Sequence, residues 1–297
     1  MLSIFLQAQT NRALVVAIGN YPEESGWDSI HAANDCKLVV PMLKSNGYKE
    51  NNIQLLLDGK ATKKRIVKEF QNLAAKTRPE DYIYIHLSGH GQQMFDDNGD
   101  EPDGLDEAFI PYDARFRYEP GRYEGENHLR DDELGKLIDS IRCHAGKTGN
   151  VTVVIDACHS GTGTRNPEED EYIRGTSYVF THPGYKSQPL NPEKFQLSIN
   201  RGKGLSPLTV FGACQPDEIN YEYKTANPKT FYGRLTWFFC NLIMENANPI
   251  TIDSFYFRLK EKMSTSFEKK NRKQTPYFES TDSKNAFIIG RIYGHTK

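Results

Sequence analysis

Residues 150–161 read NVTVVIDACHSG, and residues 81–91 read DYIYIHLSGHG. Each is a run of β-branched, aromatic and aliphatic side chains closed by a glycine-flanked turn. Continuous apolar runs of this length suit strands covered on both faces, as in a parallel sheet. Residues 12–19 (RALVVAIG), 52–58 (NIQLLLD) and 207–213 (PLTVFGA) have the same character. Amphipathic stretches at residues 30–45, 62–75, 131–143, 232–245 and 252–267 are predicted to be helices. The second starts from a Thr suited to N-capping, and the third opens on three acids that suit a helix N-terminus. Strand and helix alternating at this spacing predict an α/β sandwich with a largely parallel sheet. Residues 107–113 and 285–292 are expected to add edge strands.

The chain has 297 residues, 37% hydrophobic and 26% charged, with a net charge of -2. That length and apolar content support a sizeable core and exclude wholesale disorder. The balanced charge gives no excess of positive potential for nucleic acid or an anionic membrane. No run of 18 apolar residues is present, so no transmembrane helix is expected. Five widely spaced cysteines, without a CxxC pair, make neither a disulfide framework nor a zinc ribbon and suit a reducing, cytoplasmic compartment. The apolar start MLSIFLQAQ would instead suit a periplasmic or secreted protein if it is the end of a signal peptide. No repeat or Pro/Ser linker divides the chain, so residues 1–297 are expected to form one domain. Residues 1–11 read as a leader or frayed terminus, and residues 162–204 as a long functional loop.

Ligands of doubly wound sheets sit beyond the carboxyl ends of the strands. His90 and Cys158 both fall there, each beside glycines. A thiol needs a base or a positive field to act as thiolate at neutral pH, and an imidazole supplies either. Amides in the neighbouring turns can hold an oxyanion. Spacing alone leaves a Cys-His hydrolase and a merely structural Cys and His both open.

The segments SGHG and DACHSG, together with ALVVAIGNY, AANDC, DEPDGLDE, PYD, DDEL, FGACQPDE and YGRLT in the same order, resemble the metacaspases and their prokaryotic relatives among the caspase-like cysteine peptidases. True caspases differ, carrying a Q-A-C-[RQG]-G pattern with the His roughly 50 residues upstream. The resemblance implies a caspase-hemoglobinase fold, a three-layer α/β/α sandwich with a mostly parallel central sheet. It implies Cys158 as nucleophile, His90 as base and then acid, and the amides of Gly91 and Cys158 as oxyanion hole. His159 would be an adjacent imidazole pointing away. Asp35, Ser88 and Asp156 match the S1 pocket, whose carboxylates would accept Arg or Lys at P1 and repel Asp. Protein or peptide substrates are thus the implied partners, with a monomer favoured over a dimer.

No cofactor is required for this chemistry, but the family often binds calcium through an Asp pair matching Asp131 and Asp132. Where the family carries a further Asp ligand, seven residues after the cysteine, this chain has Arg165. The acidic stretch from Asp96 to Glu107 half resembles an EF-hand, but Glu101 stands where the turn requires Gly, so that reading is rejected. The loop after DACHSG is where family members are cut during activation. Arg165, Arg174, Lys186, Arg201 and Lys203 are its candidate self-cleavage sites. The remaining alternatives are a catalytically silent caspase-like module and a legumain-like or gingipain-like peptidase. A phosphate loop at residues 161–164 fails for want of its third Gly and of GK[ST].

Overall fold

The computed structural model describes residues 9–99, 101, 104–159, 172–186, 200–216, 218–226, 229–245, 250–266, 273–282 and 289. Five strands form the parallel body of the main sheet: β1 (Asn11–Ala17), β2 (Ile53–Leu57), β3 (Tyr82–Ser88), β7 (Asn150–Asp156) and β8 (Leu208–Gly212). A sixth, β11 (Tyr277–Ser280), pairs antiparallel with β8, giving the order β11-β8-β7-β3-β1-β2. A separate antiparallel sheet holds β4 (Gly91–Phe95), β5 (Leu105–Phe109) and β6 (Leu129–Arg130), and β9 (Glu222–Lys224) pairs with β10 (Phe231–Gly233).

The alternation of side chains along the strands builds the layers. Leu14 and Val16 of β1, Ile83, Ile85 and Leu87 of β3, and Val151 and Val153 of β7 face one core with Ile66, Phe70, Leu134 and Ile138. Those last four come from α2 (Lys63–Lys76) and α3 (Asp131–Ala145). Val15, Tyr84, Val154 and Phe211 face the other core, closed by α1 (Cys36–Ser45), α4 (Arg234–Glu245) and α5 (Ile252–Thr265). Helices on both faces of a mostly parallel sheet give the α/β sandwich read from the sequence.

Several predicted boundaries move for identifiable reasons. The helix expected from residue 30 is a tight turn at Ala32–Asp35 followed by α1, which puts Asp35 at their junction, fully buried. The helix expected from residue 232 starts at Arg234, because Phe231–Gly233 is taken up by pairing with Glu222–Lys224. Residues 107–113 do not extend the main sheet; β5 ends at Phe109 and pairs with β4 and β6. The observed edge strand is Tyr277–Ser280, and of residues 285–292 only Ile289 lies within the described residues. Thr62 caps α2 as predicted, accepting from the Arg65 amide at 3.3 Å. Within the described residues of the long loop, Phe180 is buried against Met94 and His128, and its amide and carbonyl bond Gln93 and Phe95.

The register of β3 against β7 places Ser88 beside Asp156 at the carboxyl end of the sheet centre. At the opposite end of β3, Asp81 ties three segments together. Its carboxylate accepts from the Thr10 and Arg78 amides at 3.0 Å each and from Arg12 Nε at 2.9 Å. Asp81→Ala strands those donors in a buried place and should cost about 2–4 kcal/mol in urea unfolding. Since Asp81 is remote from the carboxyl ends of the strands, the hydrogen bonds at Ser88 and Asp156 should survive in the variant.

Candidate active site

Four elements deliver carboxylates and a hydroxyl to one buried point: Asp35 before α1, Ser88 at the end of β3, Asp156 at the end of β7 and Glu222 at the start of β9. All converge on Arg174, whose side chain is completely buried. Its Nη1 donates to Asp35 Oδ2 at 2.6 Å and Ser88 Oγ at 2.7 Å, and lies 3.7 Å from Asp156 Oδ1. Its Nε and Nη2 donate to Glu222 Oε1 at 3.1 and 3.0 Å. Ser88 also donates a short hydrogen bond to Asp35.

The acids are themselves held. Asp156 accepts from Asn220 Nδ2 at 3.0 Å, and its Oδ2 accepts the amide and hydroxyl of Thr236, at 2.8 and 2.6 Å, in the first turn of α4. A helix N-terminus offers free amides and a favourable field to a carboxylate. Asp35 Oδ1 accepts the Gly233 amide at 2.8 Å. Burial raises the Asp35 carboxyl above its ordinary pKa, more than Arg174 lowers it. Burial also acts against Glu222, but there Arg174 and then His31 prevail and the carboxyl sits below its ordinary value. Three buried carboxylates without a cation would be costly, so the cavity selects for one.

The backbone of Arg174 is equally specific. Its carbonyl accepts the amide of Cys158 at 2.9 Å, and its own amide donates to Asn220 O at 3.0 Å. Of the two amides that the sequence offers for an oxyanion hole, that of Cys158 therefore already holds a carbonyl oxygen. Gly91 lies against the Cys158 backbone, where a Cβ would come 2.7 Å from its carbonyl oxygen. Cys158 Sγ is turned to Glu218 O at 3.4 Å and to Cys214 Sγ at 3.0 Å.

His90 is buried in an aromatic cage, stacked on Trp27 at 4.9 Å and 5.2 Å from the Tyr21 ring. Its Nε2 lies 2.9 Å from the Asp28 carbonyl oxygen, which can only accept, so Nε2 carries the proton. Nδ1 is then the basic nitrogen, and it is buried without a hydrogen-bond partner. Burial, only partly opposed by Asp28, lowers its pKa to about 4. His159 lies elsewhere, lining a cavity with Asp131, Leu134 and Tyr277.

Asp131 and Asp132 open α3, as the helix reading had it, and their carboxylates have different surroundings. Asp132 accepts from Asn98 Nδ2 at 2.7 Å, whereas Asp131 Oδ1 is buried and unpartnered, and its pKa is raised to about 7 by burial and then by Asp106. Among the described residues the one group of three acids close enough to share a metal is Asp96, Asp97 and Asp106, and Arg130 pairs with the last two. Asp96 caps its own loop through the amides of Asn98, Gly99 and Glu101. Calcium takes six to eight oxygens, and the described residues do not fit such a site. Of the other loop positions, Arg165 lies outside the described residues, Lys186 and Lys203 are exposed, and Arg201 pairs with Glu279 at 3.5 Å.

Sequence reasoning reached Asp35, Ser88, Asp156, His90 and Cys158 but missed Glu222, Asn220, Gly233, Thr236 and the Asp28 carbonyl. A Glu in a short strand and a Thr in a first turn carry no signal of their own. Gly233 and Thr236 left a trace only as members of the YGRLT segment. A Cβ on Gly233 would overlap Asp156 Oδ2 and Arg174 Nη1. In a Cys158→Ala background, Gly233→Ala should expel Arg174 and let trypsin cut after it at least about tenfold faster, the ratio that each ~1.4 kcal/mol of lost docking gives.

Comparison with known proteins bears on the fold and the family. Residues 10–287 match the caspase domain family. Metacaspase-3 of Arabidopsis thaliana is 28% identical over 249 residues, 75% of this chain and 62% of that protein. Metacaspase-1A of Neurospora crassa is 31% identical over 180 residues, 58% of this chain and 36% of that protein. The chain therefore spans less than two thirds of these relatives' lengths. Protein GSU0716 of Geobacter sulfurreducens superposes with a TM-score of 0.60 at 19% identity, covering 91% of this chain and 93% of that one, a likeness of fold. No helix among the described residues is long and apolar enough to cross a membrane. With its sheet, its buried acids and nearly its whole length within the match, the chain belongs to the caspase domain family.

Proposed function

We propose that the protein is a cysteine endopeptidase that cuts after Arg, and more slowly after Lys, and that Arg174 is its own first substrate. The observation that carries this reading is the hydrogen bond from the Cys158 amide to the Arg174 carbonyl. A buried arginine that served only to neutralise acids would need its guanidinium in the pocket. It would have no reason to present its carbonyl to the amide of the cysteine.

In this reading His90 Nδ1 takes the Cys158 proton and the thiolate attacks the carbonyl carbon of the P1 residue. Attack requires the sulfur to leave Glu218 O. The oxyanion is held by the Cys158 amide, with Gly91 as the second candidate donor. The tetrahedral species collapses as the C–N bond breaks, and His90 returns the proton to the leaving amine. Water then gives a proton to His90 and its hydroxyl to the thioester, releasing the acid and restoring the thiol. Arg fills the pocket through Nε and both Nη atoms, whereas the Lys ammonium is a single point charge, so Arg should be preferred by about tenfold. No step is routed through a metal.

A catalytically silent module is the second reading. It draws on His90 Nδ1 having no hydrogen-bond partner, on Cys158 Sγ being turned to Glu218 O, and on the pairing of Arg174 with three buried carboxylates. One experiment separates the two. Native chain should yield a new N-terminus at Gly175 and then hydrolyse fluorogenic Arg peptides, with chelator changing the rate by less than about twofold. Cys158→Ala should stay intact and silent. Intact native chain, or turnover of Asp peptides instead, would overturn the proposal.

Acid dependence supplies a further check. The base form of His90 is lost below its pKa, and burial has lowered that pKa, so the active range extends downward. The acid limb of self-cleavage should fall near pH 4, not near the ordinary histidine value of about 6.5.

A further inference from the structure

The internal segment occupies more than the S1 pocket. Residues 172–174 run as a short antiparallel strand against 220–222. The Glu222 amide donates to Tyr172 O at 2.9 Å, Ile173 bridges Tyr221, and Arg174 N donates to Asn220 O. Such pairing is strand addition: main-chain bonds give sequence-independent grip, and alternate side chains meet pockets. A substrate cut at this site must take the same strand, so the side chain two before Arg174 marks a second subsite.

That side chain is Tyr172. Its ring stands edge-on to His31, with centroids 4.3 Å apart and planes at 88°, and 4.9 Å from Phe231. His31 and Phe231 are themselves stacked, 4.8 Å apart at 21°. The wall is anchored from both sides. His31 Nδ1 lies 2.6 Å from Glu222 Oε2, and its amide donates to Glu222 Oε1 at 2.8 Å. Phe231 is buried and fixed in β10. Paired rings accept an aromatic edge better than an aliphatic or charged chain, because edge-to-face contact matches the positive rim of one ring to the negative face of another.

Resting on the Arg-specific reading above, we propose that His31 and Phe231 form an aromatic P3 subsite, so that the preferred substrates read aromatic-X-Arg. Glu222 touches both Arg174 and His31, so the two subsites share one carboxylate.

The test compares acetyl-Tyr-Ile-Arg and acetyl-Ala-Ile-Arg fluorogenic amides. They are assayed on the native full chain after its cleavage at Arg174 and on Tyr172→Ala, whose internal strand has lost its P3 side chain but keeps the Arg174 cation. The Tyr peptide should be cut with about tenfold higher kcat/KM, and Phe231→Leu should reduce that ratio to about twofold while Phe231→Tyr keeps it. A ratio near one, with both Arg peptides still hydrolysed, would overturn the subsite and leave the Arg reading standing. Failure to cut either peptide while an Asp peptide is cut would overturn both.

Discussion

One guanidinium surrounded by three buried carboxylates is the constraint on which the centre of this molecule depends. The acids come from four separate places in the chain, counting the hydroxyl of Ser88, and each needs its own support. Asp156 leans on the first turn of α4, Asp35 on the Gly233 amide, and Glu222 on His31. Without a cation between them, their mutual repulsion and lost hydration would act against the fold where the central strands end. The site is therefore costly to build and selective once built.

Much of this was legible in the sequence. The apolar runs at residues 81–88 and 150–156 read as covered strands, and their observed register sets Ser88 beside Asp156. His90 and Cys158 stood out as glycine-flanked side chains past the strand ends, but only the metacaspase resemblance of SGHG and DACHSG gave them expected roles. Glu222 was not visible. Its role depends on a hairpin between residues 222–224 and 231–233, and the helical pattern of residues 232–245 concealed that hairpin. Residues 162–204 read as a functional loop, but the burial of Phe180 and Arg174 within its described residues is not visible in its polar composition.

His90 illustrates how a backbone atom can escape sequence reading altogether. Which nitrogen is basic is set by the Asp28 carbonyl, and any residue at position 28 would provide one. The ring's orientation comes from Trp27 and Tyr21, aromatic residues that a sequence reader assigns to the core. Tertiary contacts, not motif residues, thus set the tautomer. The adjacent acids Asp131 and Asp132 differ for a related reason: once a helix begins there, Asp132 meets Asn98 while Asp131 Oδ1 stays buried without a partner.

The position of Arg174 between β7 and β8 has a consequence for the chain as a polymer. Asp35, Ser88, His90, Asp156 and Cys158 precede it, whereas Asn220, Glu222, Gly233 and Thr236 follow. Scission after residue 174 would therefore leave two polypeptides, each with an incomplete pocket, joined through the five-residue parallel ladder of β7 with β8 and the helices packed upon it. Folding of the intact chain is a unimolecular event, but reassembly of the nicked pair would be second order in protein. Its stability would acquire a dependence on concentration that the uncut chain lacks.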